Sequence, residues 1–163
     1  MQRLVIVTAV AILAIIAHSD VRARRIPNVL VAVIAMLGLL RLIITGDPIA
    51  ATHTFGASLL VFTVGFILFC GGTLGGGDAK LIAAMALLIG YRDLVGFLFL
   101  MSLCGGVLAL TILARDKLSL QGGRLSPRAV GLVSAPRRTT VPYGVAIAAA
   151  GIVTLIVGNS FPK

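Results

Sequence analysis

The amino-acid sequence predicts an all-α polytopic membrane protein with about six transmembrane helices, and three observations carry that prediction. Hydrophobic residues make up 59% of the 163-residue chain and charged residues only 12%, too little polar side chain to cover a water-facing globule. The mean hydropathy of +1.12 belongs to a chain that dissolves in hydrocarbon rather than in water. Apolar runs recur at roughly 4–19, 29–45, 54–72, 76–91, 94–114 and 141–158, each near the length that crosses a hydrocarbon core of about 30 Å. No long polar segment separates them, so residues 1–163 read as a single membrane-embedded domain with no separate soluble domain.

Each element has its own signals. The first run ends where Asp20, Arg22, Arg24 and Arg25 begin, and Pro27 and Asn28 read as a turn that starts the second helix. That helix closes at "TGDP" (45–48), where Asp47 has a turn role. Residues 80–114 cannot form one span, because 35 residues of helix extend about 52 Å. "GYRDLVG" at 90–96 is therefore the hairpin between the fourth and fifth helices, and the fourth begins near Gly76 with Asp78 just inside the membrane boundary. The segment 115–140, rich in Arg, Gly, Ser and Pro, reads as an irregular loop that sets orientation and attracts anionic head groups. The last span opens at "VPYG" (141–144).

Charge and cysteine usage exclude several classes. The net charge of +9 sits in short connections without an aromatic-studded polar surface, which points to the lipid bilayer as partner and not to nucleic acid. Ten of the 14 Lys and Arg residues fall in the odd-numbered connections, so that side is expected to face the cytoplasm and both termini to face away from it. Cys70 and Cys104 lie in apolar stretches without CxxC spacing and are expected as packing residues. His18 and Asp20 supply too few ligands for a metal, with His53 on the opposite side. "GGGDAKL" lacks the Gly-Lys-Ser/Thr of a phosphate loop. No metal and no cofactor is expected.

The carboxylates are the informative residues. There is no glutamate, and the five aspartates are Asp20, Asp47, Asp78, Asp93 and Asp116. Asp93 sits beside Arg92 in the hairpin and is expected to pair locally; Asp116 lies between Arg115 and Lys117 and balances local charge. Asp20 and Asp78 have no such account. They follow the first and third crossings and so face the same side, at a membrane edge where a charged group is costly. Two carboxyl groups brought together share one proton, the arrangement with which aspartic proteases activate water. Glycines at 75, 76 and 77 would allow close backbone approach to Asp78. From the residues alone, two other readings stand beside this one. One is a structural ion pair, Asp78 with Lys80 or Asp20 with Arg22; the other is a non-enzymatic proton-linked transporter or structural subunit of a pilus or secretion machine.

"DVRARRIPN" at 20–28, "GGGDAKL" at 75–81 and "VPYG" at 141–144 together resemble the motifs of the type IV prepilin peptidases, a family of GxGD membrane aspartic proteases. The chain is most similar to the short CpaA/TadV-like branch, whose members process small Flp-type pilin precursors. The resemblance implies catalytic roles for Asp20 and Asp78, with Gly75 and Gly77 as motif glycines and Lys80, Pro27 and Asn28 as supporting residues. It implies that Pro142, Tyr143 and Gly144 start a helix near the site and contact substrate. It further implies an endopeptidase that removes the leader of a pilin precursor at the cytoplasmic face of the bacterial inner membrane. Larger members carry an added segment with paired CxxC motifs, associated with methylation of the new pilin N-terminus. Nothing in this sequence corresponds to it, so proteolysis without methyl transfer is expected. The motifs say nothing of oligomeric state.

Overall fold

A computed structural model describes residues 2–23, 25–122 and 143–160. Among these residues there are six helices and no strand: α1 (Gln2–Ala23), α2 (Asn28–Thr45), α3 (Pro48–Cys70), α4 (Gly76–Ile89), α5 (Leu94–Gly122) and α6 (Tyr143–Ser160). The protein is all-α and polytopic, as its composition predicts. α1, α2, α3 and the Leu94–Ala114 part of α5 are long and apolar enough to cross a membrane, and Tyr143–Gly158 is a shorter apolar helix. α4 has 14 residues, a length of about 21 Å.

Local chemistry sets the boundaries. Pro27, with ψ of 124°, cannot continue a helix from its N-terminal side, and its carbonyl accepts from Leu30 N at 3.0 Å to begin α2. Gly46 ends α2 in the left-handed region at φ 67°, where a side chain would be strained. Asp47 then caps α3: its carboxylate accepts from Ile49 N at 3.0 Å and Ala50 N at 3.1 Å, with Pro48 in the first turn. The cap starts α3 at Pro48, ahead of the expected start at 54. α5 also departs from expectation. It continues past Ala114 to Gly122, so the first part of the expected irregular loop is helix. Arg115, Lys117, Leu118 and Leu120 are good helix formers, and the next break in the sequence is the Gly122–Gly123 pair. The rest of that loop, and Pro142 with it, lies outside the described residues.

α4 is the hub. It packs against α2, α3 and α6; α1 packs against α6 and α2, and α5 against α6. Ala79 and every residue from Leu81 to Ile89 are buried, as befits a helix that is apolar all round. Its Leu81, Met85 and Leu88 meet Leu13 and Ile16 of α1, Ile34 of α2 and Ile147 of α6 in one core. α3, by contrast, buries Thr54 and Gly65 and turns most of its other side chains outward, so Cys70 is exposed rather than packed; Cys104 is half-buried.

The α2–α4 contact depends on Gly38, where an added Cβ would lie 2.9 Å from the Leu88 backbone nitrogen. Gly38→Ala is therefore expected to lower the thermal midpoint of the detergent-solubilised protein, by an overpacking cost of about 1–3 kcal/mol. Gly56→Ala adds a Cβ into open space on α3 and should leave the midpoint unchanged or raise it. Equal midpoints for the two variants would show that the helices separate without cost.

Candidate active site

One end of the bundle collects the C-terminus of α1 and the N-termini of α2, α4 and α6. Asp20, in the last turns of α1, is 6% exposed. The first turn of a helix has backbone N–H groups without intrahelical partners, and α6 aims one of them at this carboxylate: Val145 N donates to Asp20 Oδ2 at 3.2 Å. The approach requires glycine at 144. A Cβ there would stand 2.7 Å from Oδ2 and 2.8 Å from Cγ of Asp20.

Asp78 lies in the first turn of α4, after Gly75 as the extended N-cap residue. The three glycines before it have separate tasks. A Cβ on Gly75 would lie 2.7 Å from Asp78 Oδ2, so the carboxylate folds back over that residue. Gly76 lies close against the Phe69 ring, which a Cβ there would meet at 3.1 Å, and Gly77 lies against Ile26, tying the start of α4 to the α1–α2 connection. Ser19 Oγ donates to Arg25 O at 3.1 Å and folds that connection back on α1. Asp20 and Asp78 are thereby held within electrostatic reach of each other. Asp78 is half-buried and Asp20 buried, so the pair is open on the Asp78 side.

The structure thus brings together Asp20, Asp78, Gly75, Gly77 and Gly144. Gly144 is buried against Asp20. Tyr143 begins α6, 38% exposed, with its ring over Gly105 of α5. Pro27 caps α2. Asn28 and the exposed Lys80 line a groove between α2, α3 and α4 whose walls include neither Asp20 nor Asp78. Among the described residues, no three His, Cys, Asp or Glu side chains converge as metal ligands do.

Sequence reasoning missed Arg41. At the far end of α4, its Nη1 donates to Leu88 O at 2.5 Å and Ile89 O at 3.2 Å, capping carbonyls that the helix itself leaves unpaired. The signal was available: a lone charge inside an apolar span marks a specific partner. Asp93 lies within electrostatic reach of both Arg41 and Arg92, so the local pairing expected in the hairpin extends to α2. Arg92 Nε donates to Tyr91 Oη at 3.1 Å.

The described helices form a membrane-type bundle in which Asp78 stands in the first turn of α4 and Asp20, near the end of α1, faces the first turn of α6. Residues 7–110 match the profile of the type IV leader peptidase family, Peptidase_A24. That match covers more than half of the chain and takes in both aspartates, and the protein belongs to this family. Comparison with curated proteins and with solved structures gave no match.

Proposed function

We propose that the protein is an aspartic endopeptidase that removes the leader from small, Flp-type pilin precursors at the cytoplasmic face of the bacterial inner membrane. One observation carries this reading: Asp20 and Asp78 come from separate helices and lie at one end of the bundle within electrostatic reach of each other. One proton is held between the two carboxyl groups. The ionised carboxylate takes a proton from water as its oxygen attacks the scissile carbonyl carbon, and the protonated partner gives its proton to the carbonyl oxygen. Collapse of the resulting diol breaks the C–N bond, with the proton passing to the leaving amine. No step needs a metal, a nucleotide or a methyl donor.

The test is co-expression with a small pilin precursor, read as loss of leader mass. Cleavage should persist in detergent with chelator present, and the mature pilin should carry an unmethylated N-terminus. Loss of activity with EDTA and its return with one particular metal would contradict the two-carboxyl chemistry. Sidedness is checked separately, because it rests on the distribution of basic residues. A single new cysteine at Ser126 should be labelled only from the cytoplasm and one at Thr52 only from the other side; labelling of both from one side overturns the orientation.

A further inference from the structure

α4 carries Asp78 in its first turn and ends at Ile89, about 16 Å further along one unbroken helix. Apart from Asp78 and Lys80 its side chains are apolar, and apolar packing is non-directional. Hydrogen bonds are directional, so they decide where such a helix stands along its own axis. Among the described residues, those that join α4 and the turn after it to other helices all fall in the half remote from Asp78. Ser58 Oγ of α3 donates to Ala83 O at 2.9 Å, and Tyr91 N donates to Thr54 Oγ1 at 3.3 Å. From α2, Arg41 Nη1 donates to both Leu88 O and Ile89 O, the last two carbonyls of the helix. At the Asp78 end, Gly76 rests on the Phe69 ring and Gly77 on Ile26 by packing.

We propose that Arg41 is a positioning residue for Asp78: from the opposite end of α4 it fixes the height at which that helix presents its carboxyl group to Asp20. The proposal rests on the peptidase reading and adds to it the residue that sets the working distance of the pair. Arg41 holds two successive carbonyls that the helix leaves unpaired, and an unpaired carbonyl within protein is costly. Beyond them lies a cavity of about 410 Å³ whose walls include Arg41, Thr45, Thr54, Asp93 and Thr154. Carbonyls released from Arg41 are drawn toward that polar space. A helix moves as a rod, so the same displacement draws Asp78 away from Asp20, and about 1 Å is enough to cost roughly a hundredfold in rate.

The test reads rate and helix position separately. Arg41→Met keeps the length of the side chain and removes its donors; it should lower kcat for a small pilin precursor at least about tenfold with KM nearly unchanged. Arg41→Lys keeps a cationic donor on a long stem and should stay within a few-fold of wild type. Leu155→Ala, a buried residue at the same end of the bundle, removes packing but no hydrogen bond; it should lower the thermal midpoint and leave kcat near wild type. Position is read by a disulfide. A Cβ on Gly77 would lie 3.4 Å from Ile26 Cβ, close to the disulfide spacing of about 3.5–4.5 Å. Ile26→Cys with Gly77→Cys, with Cys70 and Cys104 replaced by serine, should therefore crosslink readily when isolated membranes are oxidised. Adding Arg41→Met should slow that crosslinking about tenfold, and adding Leu155→Ala should not. An unchanged kcat in Arg41→Met, an equal loss in Leu155→Ala, or a lower kcat with unchanged crosslinking overturns the proposal. Cleavage by wild type with no response to Arg41→Met removes the positioning role alone. Crosslinking that responds to Arg41→Met in a chain that cleaves no precursor removes the peptidase reading and leaves the hold of Arg41 on α4.

Discussion

Replacing Asp20 or Asp78 with asparagine is expected to lower the initial cleavage rate by roughly 10²–10⁴-fold, the usual weight of a positioned acid or base. Asparagine preserves shape and polarity but cannot hold or release the shared proton. Because the pair acts as a unit, the double variant should be little worse than either single one. Glutamate at either position keeps the charge and moves it by one methylene, which should leave partial activity at best. Asparagine at Asp93 or Asp116 should leave the rate nearly intact. At Asp47, asparagine still caps α3, so the rate should again hold. The measurement is rate per inserted enzyme, with abundance read by immunoblot. Robust turnover by Asp78→Asn would end the protease reading.

Gly144→Ala should be nearly as damaging although it removes no chemical group. The new Cβ would lie 2.7 Å from Asp20 Oδ2 and 2.8 Å from Cγ, closer than atoms can pack, so either the carboxylate or the start of α6 must move. Misplacement of about 1 Å costs roughly a hundredfold in rate. The loss should fall on kcat, with insertion and abundance normal. Gly106→Ala, where a Cβ meets nothing within 4 Å, is the matched control on α5 and should retain wild-type kcat. Full activity in Gly144→Ala would mean that the Val145 amide does not fix the working position of Asp20.

Much of this was legible in the sequence because it depends on local signals. Pro27 and Gly75–Gly76 mark where α2 and α4 start, and the GYRD turn forces the break before α5. That Asp20 and Asp78 stand at one end of the bundle follows from counting crossings, since two crossings separate them in the sequence. Other features depend on what packs across the bundle, and no window of sequence contains them. Gly144 reads as an ordinary helix-start residue until α6 is laid against Asp20. Arg41 counts only as a basic residue until Leu88 and Ile89 are found beneath it. The apolar pattern misplaced the start of α3, because the Asp47–Pro48 cap precedes the strongly apolar stretch, and the end of α5, because helix formation outlasts hydrophobicity there.

The shortness of α4 has a consequence for how the bilayer acts on the site. A helix of 14 residues is shorter than the hydrocarbon layer is thick, yet its ten buried residues contact only protein and Arg41 closes its far end. The longer helices α1, α2, α3 and α5 take up hydrophobic mismatch, tilting when the membrane thins or thickens. Beyond Lys80, every residue of α4 is buried, so little of the helix faces lipid to be pulled. Changes in acyl-chain length therefore reach Asp78 through side-chain packing, whereas Asp20 rides on α1, so membrane thickness acts on the separation of the two carboxyl groups mainly from the Asp20 side.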